Sequence, residues 1–306
     1  MKTHRFYIII ALWLNLSVKA QIVFLNNPSG HIVAFNPAFS AIRPDMNRNY
    51  IPDQVCFSGR ASQSQSDVLA TAQHYFMKKN LGISAHYNYI HRDKSAFQKA
   101  GLGLSYHLIF FNEISTGWGI GLTYNNQSLQ TDTGYVFGIY KETITSSVQR
   151  STYASVNFGG LINYENLMAG FSFQPGELVY FTSDKKGTYY TSGSVYVKYR
   201  LSVTRSLNAT IWYNANWNTI HNRQFIKTGP TQQPVQAHAL NIHLAGKKGV
   251  IGGVGCRITD FNYISAIAKA GFNFKHLQLL YGVEPYWLHS TYSEIIHELS
   301  ITFKLN

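Results

Sequence analysis

Twelve histidines and two cysteines are the side chains of this chain best suited to metal or nucleophile chemistry, and their spacing supports neither. No HExxH, no CxxC and no other zinc-type spacing occurs. Cys56 and Cys256 stand 200 positions apart, so a disulfide is permitted in an oxidising compartment but nothing in the sequence indicates one. His289-Ser290 sets a base beside a hydroxyl. A working nucleophile also needs an orienting third group and convergence in space, which adjacency does not supply. Neither catalysis nor a cofactor is expected.

His297 and Glu298 are the other polar pair that invites a chemical reading. Consecutive residues of a strand point to opposite faces, so the two cannot act together at one level. Glu298 shares its parity with Ser300 and Lys304, against Leu299, Ile301, Phe303 and Leu305 on the other. A charge there is tolerated only facing water, because Lys at a lipid midplane costs about 2–4 kcal/mol. Glu298 is therefore expected to pair with an inward Lys or Arg, a structural role.

The element that must carry such residues is a strand apolar at alternate positions. In 101–110, Leu102, Leu104, Tyr106, Leu108 and Phe110 alternate with Gly101, Gly103, Ser105 and His107. In 117–125, Trp118, Ile120, Leu122 and Tyr124 alternate with Gly117, Gly119, Gly121 and Thr123. Strands of this kind are expected near 54–61, 68–77, 80–91, 99–110, 114–127, 153–164, 166–174, 192–202, 206–219, 236–246, 248–259, 262–274, 276–285 and 295–305. Alternate connections are tight, at Lys78-Lys79, Glu113, Glu165 and Lys247, whereas 128–152, 175–191 and 220–235 are long and polar. An even strand count with short turns on one side and long loops on the other is the pattern of an outer-membrane barrel. A secreted β-sandwich also alternates, but strands of this length with long loops on one side favour the barrel.

Export and composition agree with that reading. Lys2 and Arg5 precede an apolar stretch from Phe6 to Val18, and Val18-Lys19-Ala20 offers cleavage before Gln21. The apolar part is shorter than the roughly 20 residues of a spanning helix. Only 13% of residues are charged and 15% aromatic, with a mean hydropathy of −0.12, far too polar for a helical membrane protein. Removing Lys2, Arg5 and Lys19 with the leader takes the formal charge from +12 to +9. Export and the lack of a basic run make nucleic acid an unsuitable partner, and lumen-facing or solvated charge the default.

The expected architecture is all-β: a 14-stranded antiparallel transmembrane outer-membrane β-barrel over 54–306, a signal peptide over 1–20, and a short non-strand N-terminal arm or plug over 21–53. Pro28, Pro37, Pro44 and Pro52 keep that arm out of any ladder. Within it Asn36 can cap a turn whose backbone Pro37 fixes, which would pin the arm to the barrel; an ordinary surface turn is the alternative. Gly117, Gly119 and Gly121 leave room in the lumen for a plug or for solvent.

Three places carry a family resemblance. Asn36-Pro37-Ala38-Phe39-Ser40-Ala41 resembles the opening motif of the PorP/SprF outer-membrane proteins of Bacteroidota, with Ser40-Ala41 departing from its usual small-Gly ending. Val156–Ile162 followed by Met168–Phe173 is similar to that family's paired central strands, and Ile296-His297-Glu298-Leu299-Ser300-Ile301 to its closing strand. The resemblance implies a barrel associated with type IX secretion and gliding. It implies that the barrel helps deliver or retain an exported surface protein such as an adhesin, and that it meets periplasmic machinery. Outer-membrane lipid is the remaining partner. A channel for small solutes stays open as the alternative.

With both termini periplasmic, the long loops face outward. Tyr189, Tyr190, Arg223, Lys227 and Trp287 are then candidate partner contacts, since exposed aromatics and Arg anchor interfaces. The aromatic members equally suit the girdle at the membrane interface, which is the favoured reading.

Overall fold

In a computed structural model the structure describes residues 31–40, 53–63, 65–92, 95–110, 114–133, 145–175, 179–181, 188–222, 235–259, 263–288 and 292–305. The leader, His289-Ser290, Arg223 and Lys227 lie outside the described residues.

Lipid offers no partner to a backbone N–H or C=O, so a chain that crosses it in strands must close its ladder into a ring. Here the ring is made by β1 (Gln54–Ala61), β2 (Gln65–Phe76), β3 (Leu81–Arg92), β4 (Ser95–Phe110), β5 (Ile114–Thr133), β6 (Thr145–Tyr164) and β7 (Leu167–Gln174). It continues, past a two-residue β8 (Val179–Tyr180), with β9 (Thr188–Thr204), β10 (Leu207–Asn222), β11 (Val235–Gly246), β12 (Val250–Thr259), β13 (Tyr263–Asn273), β14 (Leu277–Leu288) and β15 (Tyr292–Lys304). Every pairing is antiparallel and between chain neighbours, except that β7 pairs with β9, β8 lies against β6, and β1 closes on β15. Fourteen strands thus form a closed antiparallel barrel, as the alternation predicts.

The two faces separate as their chemistry requires. Leu102, Trp118, Leu122 and Val254 are 56–66% exposed on the outside, while Ser105, Thr123, Ser155 and Ser300 are buried inside. Outward apolar side chains have no protein neighbours to cover them, and lipid is the solvent that suits them. Cys56 is buried in the lumen and Cys256 is exposed on the outer face, both as free thiols. Thiols on opposite faces of a barrel wall cannot bridge without unravelling it.

The short-turn end is built from two- to four-residue connections. Glu165, with φ 47°, and Gly249, with φ 85°, supply the left-handed backbone that such reversals demand.

At the opposite end the structure corrects the expected boundaries. β5 runs to Thr133 and β6 starts at Thr145, so much of 128–152 is paired strand rather than loop. Tyr189 and Tyr190 belong to β9, opposite His221 and Ile220, and Trp287 belongs to β14, opposite Ser293, where the sequence reading put all three in loops. β2 likewise begins at Gln65. The reason is that alternation marks only the part of a strand that crosses lipid. Beyond it, Gln, Ser and Thr pairs still satisfy their backbone groups by continuing the ladder, with no apolar face to advertise it.

Ile120, 48% exposed on β5, tests the assignment of faces. An Ile120→Arg variant is expected to lose about 2–4 kcal/mol of barrel stability, and Ser155→Ala, on the inside and bonded to Thr123 and Asn125, about 1–3 kcal/mol. Urea midpoints followed by heat-modifiable gel mobility report both; equal midpoints for Ile120→Arg and the parent chain would refute the outward assignment.

Candidate functional site in the barrel lumen

The most unusual local sequence, Asn36-Pro37-Ala38-Phe39, sits inside the barrel. Ile32–Ala34 and Pro37–Phe39 form two single 3₁₀ turns, and His31, Asn36, Ala38, Phe39 and Ser40 are all at or below 1% exposure. Proline at the first position of the second turn presets φ and gives up an N–H that such a turn leaves unused anyway. Asn36 Oδ1 accepts from Ala38 N at 2.9 Å, capping that turn. Its Nδ2 donates outward to the wall, at 2.7 Å to the Phe171 carbonyl and 3.4 Å to the Gly160 carbonyl. One carboxamide therefore shapes the plug and ties it to two strands.

The wall is shaped to receive this segment. A Cβ at Gly119 would fall on the backbone of Pro37 and Ala38, and one at Gly159 on the Asn36 carboxamide. Only glycine lets the strands come this near. Beside them Ile32, Val33 and Phe39 pack with Leu161, Met168, Tyr196 and Trp212, side chains that point inward against the rule for a wet lumen. The Phe39 and Tyr196 rings meet edge-on at 5.9 Å. Burying each such apolar side chain is worth about 1.5–3 kcal/mol. The end of the segment is fixed by Ser40 Oγ against Ser84 Oγ at 2.7 Å, and by Ser105 Oγ donating to the Ser40 carbonyl at 3.0 Å.

His31 anchors the other side. Its Nε2 lies 2.6 Å from Ser58 Oγ and 3.2 Å from Cys56 Sγ, and its Nδ1 3.3 Å from Thr71 Oγ1. Burial among these groups pushes the imidazole from its ordinary 6.5 down to about 3.

One level further toward the long-loop end lies a buried charge network. Glu284 is fully buried and accepts from Arg257 Nη1 at 2.9 Å and from Arg60 Nη2 at 3.2 Å. Arg60 also reaches Glu298 at 3.6 Å and Asp67 at 3.7 Å. Glu298 thus finds its cation in Arg60, directly across the β1–β15 pairing, while His297 faces outward with Nδ1 2.6 Å from Tyr281 Oη. Lys269 Nζ donates to Asn241 Oδ1 at 3.1 Å. Such an arrangement holds strands in register.

On the long-loop side of the plug is a cavity of about 120 Å³ with Phe35 at its floor. Asn88, Lys99, Asn125, Asn157, Gln174 and Asn216 line it.

The structure thus brings Asn36–Phe39 and Glu298 into the lumen and leaves His297 on the outer face; Tyr189, Tyr190 and Trp287 lie toward the long-loop rim in their strands. Sequence reading did not single out His31, Arg60, Asp67, Arg257, Lys269, Glu284 or Lys99. The charged members carried a usable signal, since each shares the parity of small inward residues.

These features define a class: an outer-membrane β-barrel whose lumen holds a segment of its own N-terminal region. The chain belongs to the PorP/SprF family, whose description, type IX secretion system membrane protein PorP/SprF, matches residues 19–303. It is accordingly an outer-membrane protein associated with type IX secretion. No curated protein matches the chain. Among solved structures it is similar to a FadL homologue of Pseudomonas aeruginosa (TM-score 0.54, 9% identity, covering 92% of this chain and 95% of that one). It is also similar to the Pseudomonas putida toluene transporter TodX (TM-score 0.50, 7% identity, 94% and 95%) and to the monoaromatic hydrocarbon channel CymD (TM-score 0.51, 8% identity, 94% and 95%). At these identities the likeness is one of fold.

Two predictions follow from the plug and the network. The seated His31 is neutral, whereas a released one titrates near 6.5, so seating is strongest above that value. As pH falls from 6.5 toward 3, seating weakens by about 1.4 kcal/mol per unit. In a chain lacking native cysteines, maleimide labelling of Ser40→Cys is expected to speed up about tenfold per pH unit below 6.5, after correction for the reagent's own pH dependence; a flat profile would exclude His31 as the anchor. Replacing Glu284 by Gln takes from Arg60 and Arg257 the carboxylate they share, and a loss of about 3–5 kcal/mol in unfolding free energy is expected from urea titration.

Proposed function

We propose that this protein is a non-enzymatic surface-assembly barrel, which assists secretion or cell-surface attachment of a protein exported by the type IX system, such as an adhesin. The observation that carries the proposal is the seated Asn36–Phe39 segment: the family's opening motif occupies the lumen, with its wall contacts supplied by glycines and an inward apolar patch. A free solute path is poorly served by a lumen so filled, whereas a docking platform gains rigidity from it. Family membership supplies the secretion context.

In this reading residues 1–20 are a cleaved leader, 21–53 an N-terminal arm or plug that carries the Asn36–Phe39 motif, and 54–306 the barrel. The exported protein is met at the long-loop rim, with Tyr189, Tyr190, Arg223, Lys227 and Trp287 as contacts, and periplasmic machinery at the short-turn end. Asn36, Pro37, Ala38 and Phe39 act by holding the plug, and Glu298 by closing the barrel.

Deletion of the chain is expected to remove a type IX-exported protein from the cell surface, and the purified barrel to show no steady conductance in planar bilayers. A steady open pore together with unimpaired surface display would overturn the proposal in favour of a small-solute channel.

A further inference from the structure

The outer wall of the barrel is hollowed over β1–β6. Val55, Ala72, Ala85, Leu102, Leu122 and Val156 stand side by side in one row of the ladder, on the lipid side. Two alanines in this row lie between larger side chains, and Gly103 and Gly121 contribute to the floor beneath them. The hollow measures about 770 Å³. A second, of about 430 Å³, opens beside it among Tyr106, Trp118, Phe158 and Phe171, with Leu104 and Ile120 common to both. Fluid lipid needs only an apolar band to wet; two adjoining hollows give particular chains a place to settle.

The end of the wall below the hollows is charged. Lys78 and Lys79 are exposed in the turn that joins β2 to β3, six residues along the chain from Ala72 and Ala85 respectively. At about 3.3 Å per residue and a strand tilt of about 40°, that is about 15 Å of depth, half of a hydrocarbon core roughly 30 Å thick. The larger hollow therefore lies within the leaflet that meets the short-turn end. Other short turns repeat the sign: Arg205, Lys247, Lys248 and Lys275 are exposed, and Glu165 is the single carboxylate among the described residues of these turns. Turns this short, next to outward aromatics such as Phe76 and Phe272, hold their cations at headgroup depth. Asp53, at the foot of β1, is engaged within the wall, 2.6 Å from His74 Nδ1 and 2.8 Å from Tyr75 N.

We propose that the hollows over β1–β6 bind one diacyl phospholipid with an anionic headgroup, its two acyl chains in the two hollows and its phosphate on Lys78 and Lys79. Shape and charge select this occupant together. Two hollows that share a wall suit two chains hung from one glycerol. A headgroup carrying its own ammonium offsets its phosphate internally and gains less from a pair of lysines. An acidic protein or cell-wall polymer would be drawn by the lysines alone and would leave the hollows unused. The smaller hollow is also the back of the plug seat, since Gly119 and Gly159 line it and lie against Ala38 and Asn36 on the inner side. A seated lipid thus braces from outside the part of the wall that holds the plug, whichever exported protein the barrel serves.

The test equilibrates the purified full chain in detergent with equal amounts of phosphatidylglycerol and phosphatidylcholine of identical long acyl chains, and weighs the retained lipid by native mass spectrometry. One phosphatidylglycerol per barrel is expected to be kept about tenfold more often than phosphatidylcholine. Lys78→Gln with Lys79→Gln should erase that preference, while Lys78→Arg with Lys79→Arg keeps it. Lys247→Gln with Lys248→Gln, the paired lysines of another turn, should leave it unchanged. Ala72→Leu with Ala85→Leu, which fills the larger hollow, should lower retention, and heat-modifiable mobility confirms that each variant is folded. Dihexanoyl phosphatidylglycerol, whose chains are too short to reach the two alanines, should be lost from the parent chain, a readout that needs no substitution. Equal retention of the two long-chain lipids, an equal loss on changing Lys247 and Lys248, undiminished retention in the folded alanine variant, or short-chain lipid held as firmly as long would each overturn the proposal.

Discussion

The Asn36 carboxamide is the contact on which the lumen depends. Its oxygen caps the turn that makes Pro37–Phe39 compact, and its nitrogen reaches the carbonyls of two neighbouring strands. A single side chain thereby determines both the shape of the plug and its place. Everything around it is arranged for close approach: glycines on β5 and β6, Phe39 in an inward apolar patch, and Ser40 held by hydroxyls of β3 and β4. Aspartate would keep the cap and lose the donor, and glutamine would shift the donor by a methylene, so few residues substitute for it.

The barrel was legible in the sequence because lipid enforces a simple pattern. Leu102 to Phe110 and Trp118 to Tyr124 must face hydrocarbon at every second position, and no packing detail modifies that demand. Strand ends were less legible for the same reason, as Thr131 and Ser147 pair outside the lipid where nothing constrains their polarity. The lumen was least legible. That Glu298 wants a cation follows from its parity, but that the cation is Arg60 depends on which strand closes the ring and in what register. His31 had no signal at all: its three partners come from β1 and β2, and only the folded geometry gathers them.

Plug and charge network divide the interior between two kinds of cohesion. On the β4–β10 side, apolar side chains and glycines hold the N-terminal segment by shape. On the β12–β2 side, Arg60, Asp67, Arg257, Glu284 and Glu298 hold the wall to itself through buried ion pairs. Buried ion pairs contribute modestly to net stability but penalise heavily any arrangement that separates them.

That asymmetry matters most where the chain's two ends meet. Arg60 on β1 and Glu298 on β15 stand directly opposite in the ladder that joins the first strand to the last. Sliding β15 by one residue would turn Glu298 out into hydrocarbon and His297 inward, and sliding it by two would carry the carboxylate past its guanidinium. The seam therefore carries its own register check: a wrongly zipped ring leaves a carboxylate and a guanidinium apart, at an electrostatic cost.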